Sequence, residues 1–346
     1  MAKQALAPLQ TQPIVQDILT SAIERERERE IVTRRYGLFD RKETLEQIGE
    51  LLGITRERVR QLEKSVMTRL RISAEQGNVA GISEVQSRIV AELKELGGAA
   101  RISELTSQLV AENSRTEQSR LTFLAYLCPE LVVVAEDNDY YQGVALASLH
   151  DEKQLKKTVA KLIDAVKANG EVINLQTLAD KVGIKDLKHV EALASLSKKL
   201  ATLNGKWGLI KWPMVNPKNI RDKIYVILHQ HGKHMHFNDI AKAIKDSEFK
   251  RKDVTTQAIH NELIKDERFV LIGRGIYALK EWGYVRGTVA DIITQVLKEA
   301  GEPLHRDEIV KRVLKTRYVK ETTVLLNLQG KPQFKRVAKA TYGLAE

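Results

Sequence analysis

The stretch Thr44-Leu-Glu-Gln-Ile-Gly-Glu-Leu-Leu-Gly-Ile-Thr-Arg-Glu-Arg-Val-Arg-Gln-Leu-Glu63 decides how this chain is read. Two short helical patterns flank a Gly53-Ile54-Thr55 turn, the outline of a helix-turn-helix. Thr44 and Gln47 have the spacing of a capping box, in which each side chain satisfies a free backbone N–H of the first turn. Leu45, Ile48 and Leu52 recur at helical spacing. Thr55 suits the N-cap of the second helix. Glu57 falls in its first turn, where the helix dipole favours a negative charge. Val59, Leu62, Val66 and Leu70 then form one apolar stripe turned towards a core.

Arg56 and Arg60 stack at i, i+4 on a different face, as do Glu57 and Gln61. Their chemistry suits base edges. Arginine bonds both acceptors of guanine, glutamine pairs with adenine, and glutamate accepts from the cytosine amino group. A solvated charged face with i, i+4 pairs accounts for the same four residues.

A longer run carries a resemblance. Glu28-Arg-Glu-Ile-Val-Thr-Arg-Arg-Tyr-Gly-Leu38, Thr44-Leu-Glu-Gln-Ile-Gly49 and Thr55-Arg-Glu-Arg-Val-Arg-Gln-Leu-Glu63 together resemble region 4 of sigma-70 family factors, nearly continuously over residues 23–72. In that family this helix reads the −35 promoter element, while the domain leans on the flap of the RNA polymerase β subunit. The resemblance implies that Arg56, Glu57, Arg60 and Gln61 face bases. It also implies that Arg35, Thr44, Thr55, Arg58, Lys64 and Arg71 touch phosphates or steady the dock. Thr33 stands where such factors often carry a basic residue, so no phosphate contact is expected there. Sigma factors melt promoters with an aromatic-rich region upstream of region 4. The residues before the match hold no aromatic, so a complete sigma factor is not expected.

The chain has 346 residues, length for two or more domains, and 43% of them are hydrophobic. No apolar run approaches the ~18 residues of a membrane span, and the N-terminus lacks a secretory pattern. The single cysteine, Cys128, beside Pro129 in an apolar context, is expected in the core. An intracellular protein is expected, and the sigma-like resemblance implies a cytoplasmic, nucleoid-associated one. The net charge is +11. Residues 24–71 carry 13 Lys/Arg against 10 Asp/Glu, residues 76–215 carry 17 against 17, and residues 216–346 carry 25 against 16. The two ends are therefore expected to face a polyanion, and the neutral middle to act as spacer or protein-facing part.

Residues 1–22, with Pro8, Pro13 and several glutamines, suggest a loose lead ending in a short helix. The alternating charges of Glu24–Glu30 suggest a solvated face, and Ser73–Ser83 a linker. Beyond it a unit of roughly 60 to 70 residues repeats. Gly232-Lys-His-Met-His-Phe-Asn-Asp-Ile240 aligns with Gly301-Glu-Pro-Leu-His-Arg-Asp-Glu-Ile309, placing His236 on His305. Phe269–Leu279 aligns with Phe334–Leu344. Fainter copies start at Gly97 and Gly170. Each copy ends in alternating residues that fit a strand pair.

Three helices and a β-hairpin form the winged-helix outline. The expected fold is mainly α: a sigma region 4-like helix-turn-helix followed by tandem winged helices at 84–148, 152–215, 218–284 and 287–346. The third, through His236-Phe-Asn-Asp-Ile-Ala241, Phe269–Leu279 and Glu281-Trp-Gly283, resembles the HARE-HTH winged helix, the family of the δ subunit of bacterial RNA polymerase. That resemblance implies a role at DNA or polymerase. An acidic tail like that of the δ subunit is not expected, since the last unit is basic.

His229, His231, His234 and His236 invite a metal reading, but no Cys or carboxylate follows at regular spacing. The counterpart of His236 in His305, which has no histidine neighbour, favours a structural role at this position. No metal or cofactor is expected. Lys250, Arg251, Lys252, Arg274, Arg317, Lys320, Lys335, Arg336 and Lys339 could clamp phosphates, which positions a protein without reading sequence. Trp207, Trp212 and Trp282 are expected as core or wing anchors.

No phosphate-binding glycine loop, Gly-x-Ser-x-Gly, His-Glu-x-x-His or paired-carboxylate cluster occurs, so catalysis is not expected. The expected function is sequence-specific DNA binding in a bacterial-type transcription system, with double-stranded DNA and RNA polymerase as partners and no small-molecule substrate. Two alternatives remain open: a polymerase-binding adaptor that does not read sequence, and a nonspecific architectural DNA binder.

Overall fold

Both capping signals in the central stretch open real helices in the computed structural model, which describes residues 7–249, 251 and 253–345. The Gln47 N–H donates to Thr44 Oγ1 (3.2 Å), and the Thr44 N–H donates back to Gln47 Oε1 (2.9 Å). The Arg58 N–H donates to Thr55 Oγ1 (3.2 Å). These caps start α3 (Leu45–Leu52) and α4 (Arg56–Glu75), preceded by α1 (Thr11–Ser21) and α2 (Glu26–Tyr36). Gly49 sits where α3 meets the start of α4. A Cβ there would lie 2.7 Å from the Ile54 carbonyl oxygen, so only glycine lets the two backbones approach this closely.

Four copies of one topology follow. The first comprises α5 (Ile82–Glu95), β1 (Ala99–Arg101), α6 (Ile102–Leu109), α7 (Arg115–Leu127), β2 (Leu131–Val134) and β3 (Gly143–Leu146). The second comprises α8 (Glu152–Asn169), β4 (Ile173–Asn174), α9 (Leu175–Val182), α10 (Leu187–Ser195), β5 (Leu200–Leu203) and β6 (Lys206–Leu209). The third runs α11 (Ile220–His231), β7 (Met235–His236), α12 (Phe237–Asp246), α13 (Thr256–Lys265), β8 (Phe269–Gly273) and β9 (Ile276–Leu279). The fourth runs α14 (Val289–Ala300), β10 (Leu304–His305), α15 (Arg306–Thr316), α16 (Glu321–Gly330), β11 (Phe334–Ala338) and β12 (Thr341–Leu344). Each has three helices and a three-stranded antiparallel sheet whose last strand lies in the middle. The two repeat alignments mark matching places: Gly232 and Gly301 end α11 and α14, and Phe269 and Phe334 open β8 and β11.

The chain divides into two compact units, residues up to Lys211 and residues from Trp212 onwards. Within the first, the helix-turn-helix is not a separate bead. Ile23, Val32, Leu38, Val66 and Leu70 share one buried core with Ile18 of the lead and with Val85, Ile89, Phe123 and Leu124 of the first repeat. Each such side chain contributes about 1.5–3 kcal/mol when fully buried.

Burial alone does not fix the docking; a polar network does. Arg120 on α7, 7% exposed, donates from Nε to the Leu38 carbonyl (2.7 Å) and from Nη1 to Glu117. Glu117 also accepts from the Thr11 hydroxyl. The short helix expected at the end of the lead is present, but it is packed down rather than loose. From Thr11 the lead is helical, with Val15, Ile18 and Leu19 buried, because this apolar face has α7 to cover. The expected linker is likewise short: α4 runs to Glu75, and Val79 and Ile82 already belong to the shared core.

The second repeat is clasped to the first. The Tyr141 N–H donates to the Leu196 carbonyl (2.9 Å), the Lys198 N–H to the Asp139 carbonyl (2.8 Å), and the Tyr141 ring is approached by the cations of Arg101 (4.0 Å) and Lys198 (5.4 Å). In the second unit the fourth repeat pairs with the open edge of β8, where the Tyr318 N–H donates to the Ile272 carbonyl (3.1 Å). Cys128 is buried, its thiol donating to the Leu124 carbonyl, and burial pushes its pKa up to about 12. No helix among the described residues is long and apolar enough to cross a membrane.

Candidate nucleic-acid interface

The first two turns of α4 present Arg56, Glu57, Arg58, Arg60 and Gln61, all exposed, while Val59 is fully buried between them. A buried Val59 anchored on Ile31 and Ile48 fixes the rotation of the helix, and with it the face these side chains occupy. The four expected base readers lie together and engage one another or their surroundings. Arg60 grips Glu57 through two hydrogen bonds (2.7 and 2.8 Å), Gln61 Nε2 donates to the same carboxylate (3.3 Å), and Arg56 pairs with Glu46 on α3 (3.0 Å). The Arg60 hydrogen bonds hold the Glu57 carboxyl down at about 2, so it is ionised at neutral pH. All of these pairs are exposed and cheap to exchange for base contacts.

The expected positioning residues divide. Thr44 and Thr55 act first as caps, each hydroxyl accepting a backbone N–H. Arg58 and Lys64 are exposed, and Arg71 is exposed with Glu75 nearby (3.7 Å). Arg35 is half-buried and already engaged, with Nη1 on the Glu43 carbonyl (3.3 Å) and Nε beside Glu63 (3.5 Å). Thr33 is half-buried in a cleft with Arg29, Arg34 and Arg41.

Of the basic residues expected on the C-terminal repeats, Lys250 and Lys252 lie outside the described residues. Arg251 is exposed, with a left-handed backbone (φ 56°), and its carbonyl accepts from the buried Lys223 Nζ (2.6 Å). Arg274 is exposed at the turn between β8 and β9. Lys335, Arg336 and Lys339 are exposed on or beside β11, whose residues beyond Phe334 are all exposed. Arg317 is a correction: its Nη1 donates to the Leu271 carbonyl (2.6 Å), so it ties the fourth repeat to the third rather than standing clear as a phosphate clamp.

His236 and His305 occupy the same place, each ring capping the following helix through Nδ1. Among the described residues no three His, Cys, Asp or Glu side chains converge as a metal site would need. Sequence reasoning missed Glu46 as the partner of Arg56, and Tyr126, which reaches the flank of α4 from the first repeat. Helical spacing relates residues of one helix. It carries no signal for partners on another.

Residues 25–71, from the N-cap of α2 to a point within α4, match the family model of sigma-70, region 4. The segment is 52% identical over 46 residues to RNA polymerase sigma factor SigA1 of Synechococcus elongatus, covering 13% of this chain and 12% of that protein. It is 50% identical over 46 residues to RNA polymerase sigma factor SigA of Nostoc sp. and of Synechocystis sp., covering 13% of this chain in each case and 12% and 11% of those proteins. The chain thus spans about an eighth of the length of the curated relatives it matches. The match ends within α4, so the four repeats lie outside it.

Proposed function

We propose that this protein is a sequence-specific DNA-binding transcription factor of a bacterial-type system. In this reading α4 enters the major groove, and the sigma-like domain associates with RNA polymerase. One observation carries it: Arg56, Glu57, Arg60 and Gln61 stand exposed on one face at the start of a capped helix, inside a segment similar to region 4 of sigma factors. In major-groove recognition, contacts of this type each contribute about 1–3 kcal/mol of discrimination. The four repeats are winged helices, the third of the HARE-HTH kind, and Arg251, Arg274, Lys335, Arg336 and Lys339 hold neighbouring phosphates. The protein acts by binding and carries no catalysis.

Replacing Arg56, Glu57, Arg60 and Gln61 together by alanine tests this. The affinity ratio between an enriched duplex and a scrambled one should collapse. An unchanged ratio refutes sequence reading by α4. A second reading, an adaptor on polymerase protein surfaces, is favoured by the cancelling charge of residues 76–215. It would show as capture of core RNA polymerase by the alanine variant with no DNA selectivity in either protein.

A further inference from the structure

Along α4, Arg60, Lys64, Thr68 and Arg71 follow one another at i, i+4, i+8 and i+11, and so form a single polar ridge leading back from the base-facing turns. This ridge is one wall of a groove of about 350 Å³. The other wall is made by Tyr36 of α2 and by Tyr126 of α7, which lies outside the sigma-like segment.

The groove has the chemistry of a phosphate track. Lys64 and Arg71 reach its mouth exposed. Its one carboxylate, Glu63, is held by Arg35 (3.5 Å) and so is compensated. Tyr126 is half-buried and is set by an edge-on contact with Tyr36 (5.9 Å between ring centres). Tyr36 in turn packs edge-on against the buried Phe123 (5.5 Å). The Tyr126 ring is thus fixed by packing, while its hydroxyl makes no hydrogen bond among the described residues. Burial raises its pKa, so the phenol keeps its proton and remains a donor.

We infer that this groove seats the DNA backbone, with Lys64 and Arg71 neutralising phosphate and Tyr126, supplied by the first repeat, donating a hydrogen bond to it. The proposal rests on DNA binding by α4, and through it the fused first repeat widens the footprint of the recognition helix. Backbone contacts position a protein and carry no sequence information directly.

Full-length Tyr126→Phe protein tests it by fluorescence anisotropy on an enriched duplex and on a scrambled duplex, beside a thermal melt. The variant keeps the ring and its packing, so the melt should be unchanged. Affinity should fall about three- to tenfold on both duplexes, with their ratio preserved. Lys64→Gln should lower the slope of log affinity against log salt by about one. Wild-type affinity in Tyr126→Phe overturns the inference, and so does a loss confined to the enriched duplex, which would make Tyr126 a base reader. If the wild type shows no sequence preference while Tyr126→Phe still weakens binding to both duplexes, the groove stands and sequence reading by α4 falls.

Discussion

Gly49→Ala isolates the geometry that places α4 against α3. In a helix interior this change would ordinarily stabilise by up to about 1 kcal/mol, because alanine is the better helix former. Here the added Cβ would stand 2.7 Å from the Ile54 carbonyl oxygen, with the Arg56 nitrogen at 3.5 Å behind it. Both are backbone atoms, one in the turn and one at the start of α4, and the Ile54 N–H is itself tied to the Gly49 carbonyl (2.9 Å), so the clash cannot be relieved by a rotamer change. Overpacking of this kind costs about 1–3 kcal/mol, and after the propensity gain a net loss of about 1–2 kcal/mol remains. For a unit of this size that lowers the melting midpoint by roughly 2–8 °C. The relief moves the first turn of α4, so discrimination by Arg56, Glu57, Arg60 and Gln61 should weaken more than affinity for scrambled DNA. Thermal unfolding followed by circular dichroism, with anisotropy on two duplexes, measures both. A Gly49→Ala protein as stable as wild type or more so would refute the close approach of α3 and α4.

Three further outcomes follow from the same structure. Arg120→Met leaves Glu117 and the Leu38 carbonyl without their buried donor, and should cost about 3 kcal/mol, seen as a lower midpoint for the first unit in calorimetry. Glu57 has its pKa lowered to about 2, so its ionised form favours the folded pairing above the ordinary carboxylate value and is lost only as pH falls through about 2. DNA selectivity measured between pH 8 and 5 should therefore show no step from this group. Replacing Lys335, Arg336 and Lys339 together by glutamine should reduce the salt slope of DNA affinity by up to about 0.9 for each phosphate no longer neutralised, with sequence preference intact.

The local architecture was legible because its determinants are local. Thr44 with Gln47, and Thr55 alone, announce two helix starts, and Val59, Leu62, Val66 and Leu70 give the inward stripe. The two C-terminal repeats were legible because each ends its first helix at a glycine and returns to an aromatic-bearing hairpin. The stripe could not say what covers it. Val66 and Leu70 share their core with Ile18 and Phe123, and only tertiary packing brings those together. Arg120 had no local signature, since its acceptor, the Leu38 carbonyl, lies 82 residues back. The same limit hid Tyr126, and it let Arg317 pass for a free cation when it was already bound to the Leu271 carbonyl.

Sequence reading by α4 is the property on which the proposed function stands. In-vitro selection from random duplex DNA with the full-length protein at near-physiological salt measures it most directly, run in parallel with a protein carrying Arg56→Ala and Gln61→Ala. A reading helix requires a short enriched motif with wild type and its loss in the double variant. A folded wild-type protein that enriches nothing, or an unaltered motif in the variant, would contradict it.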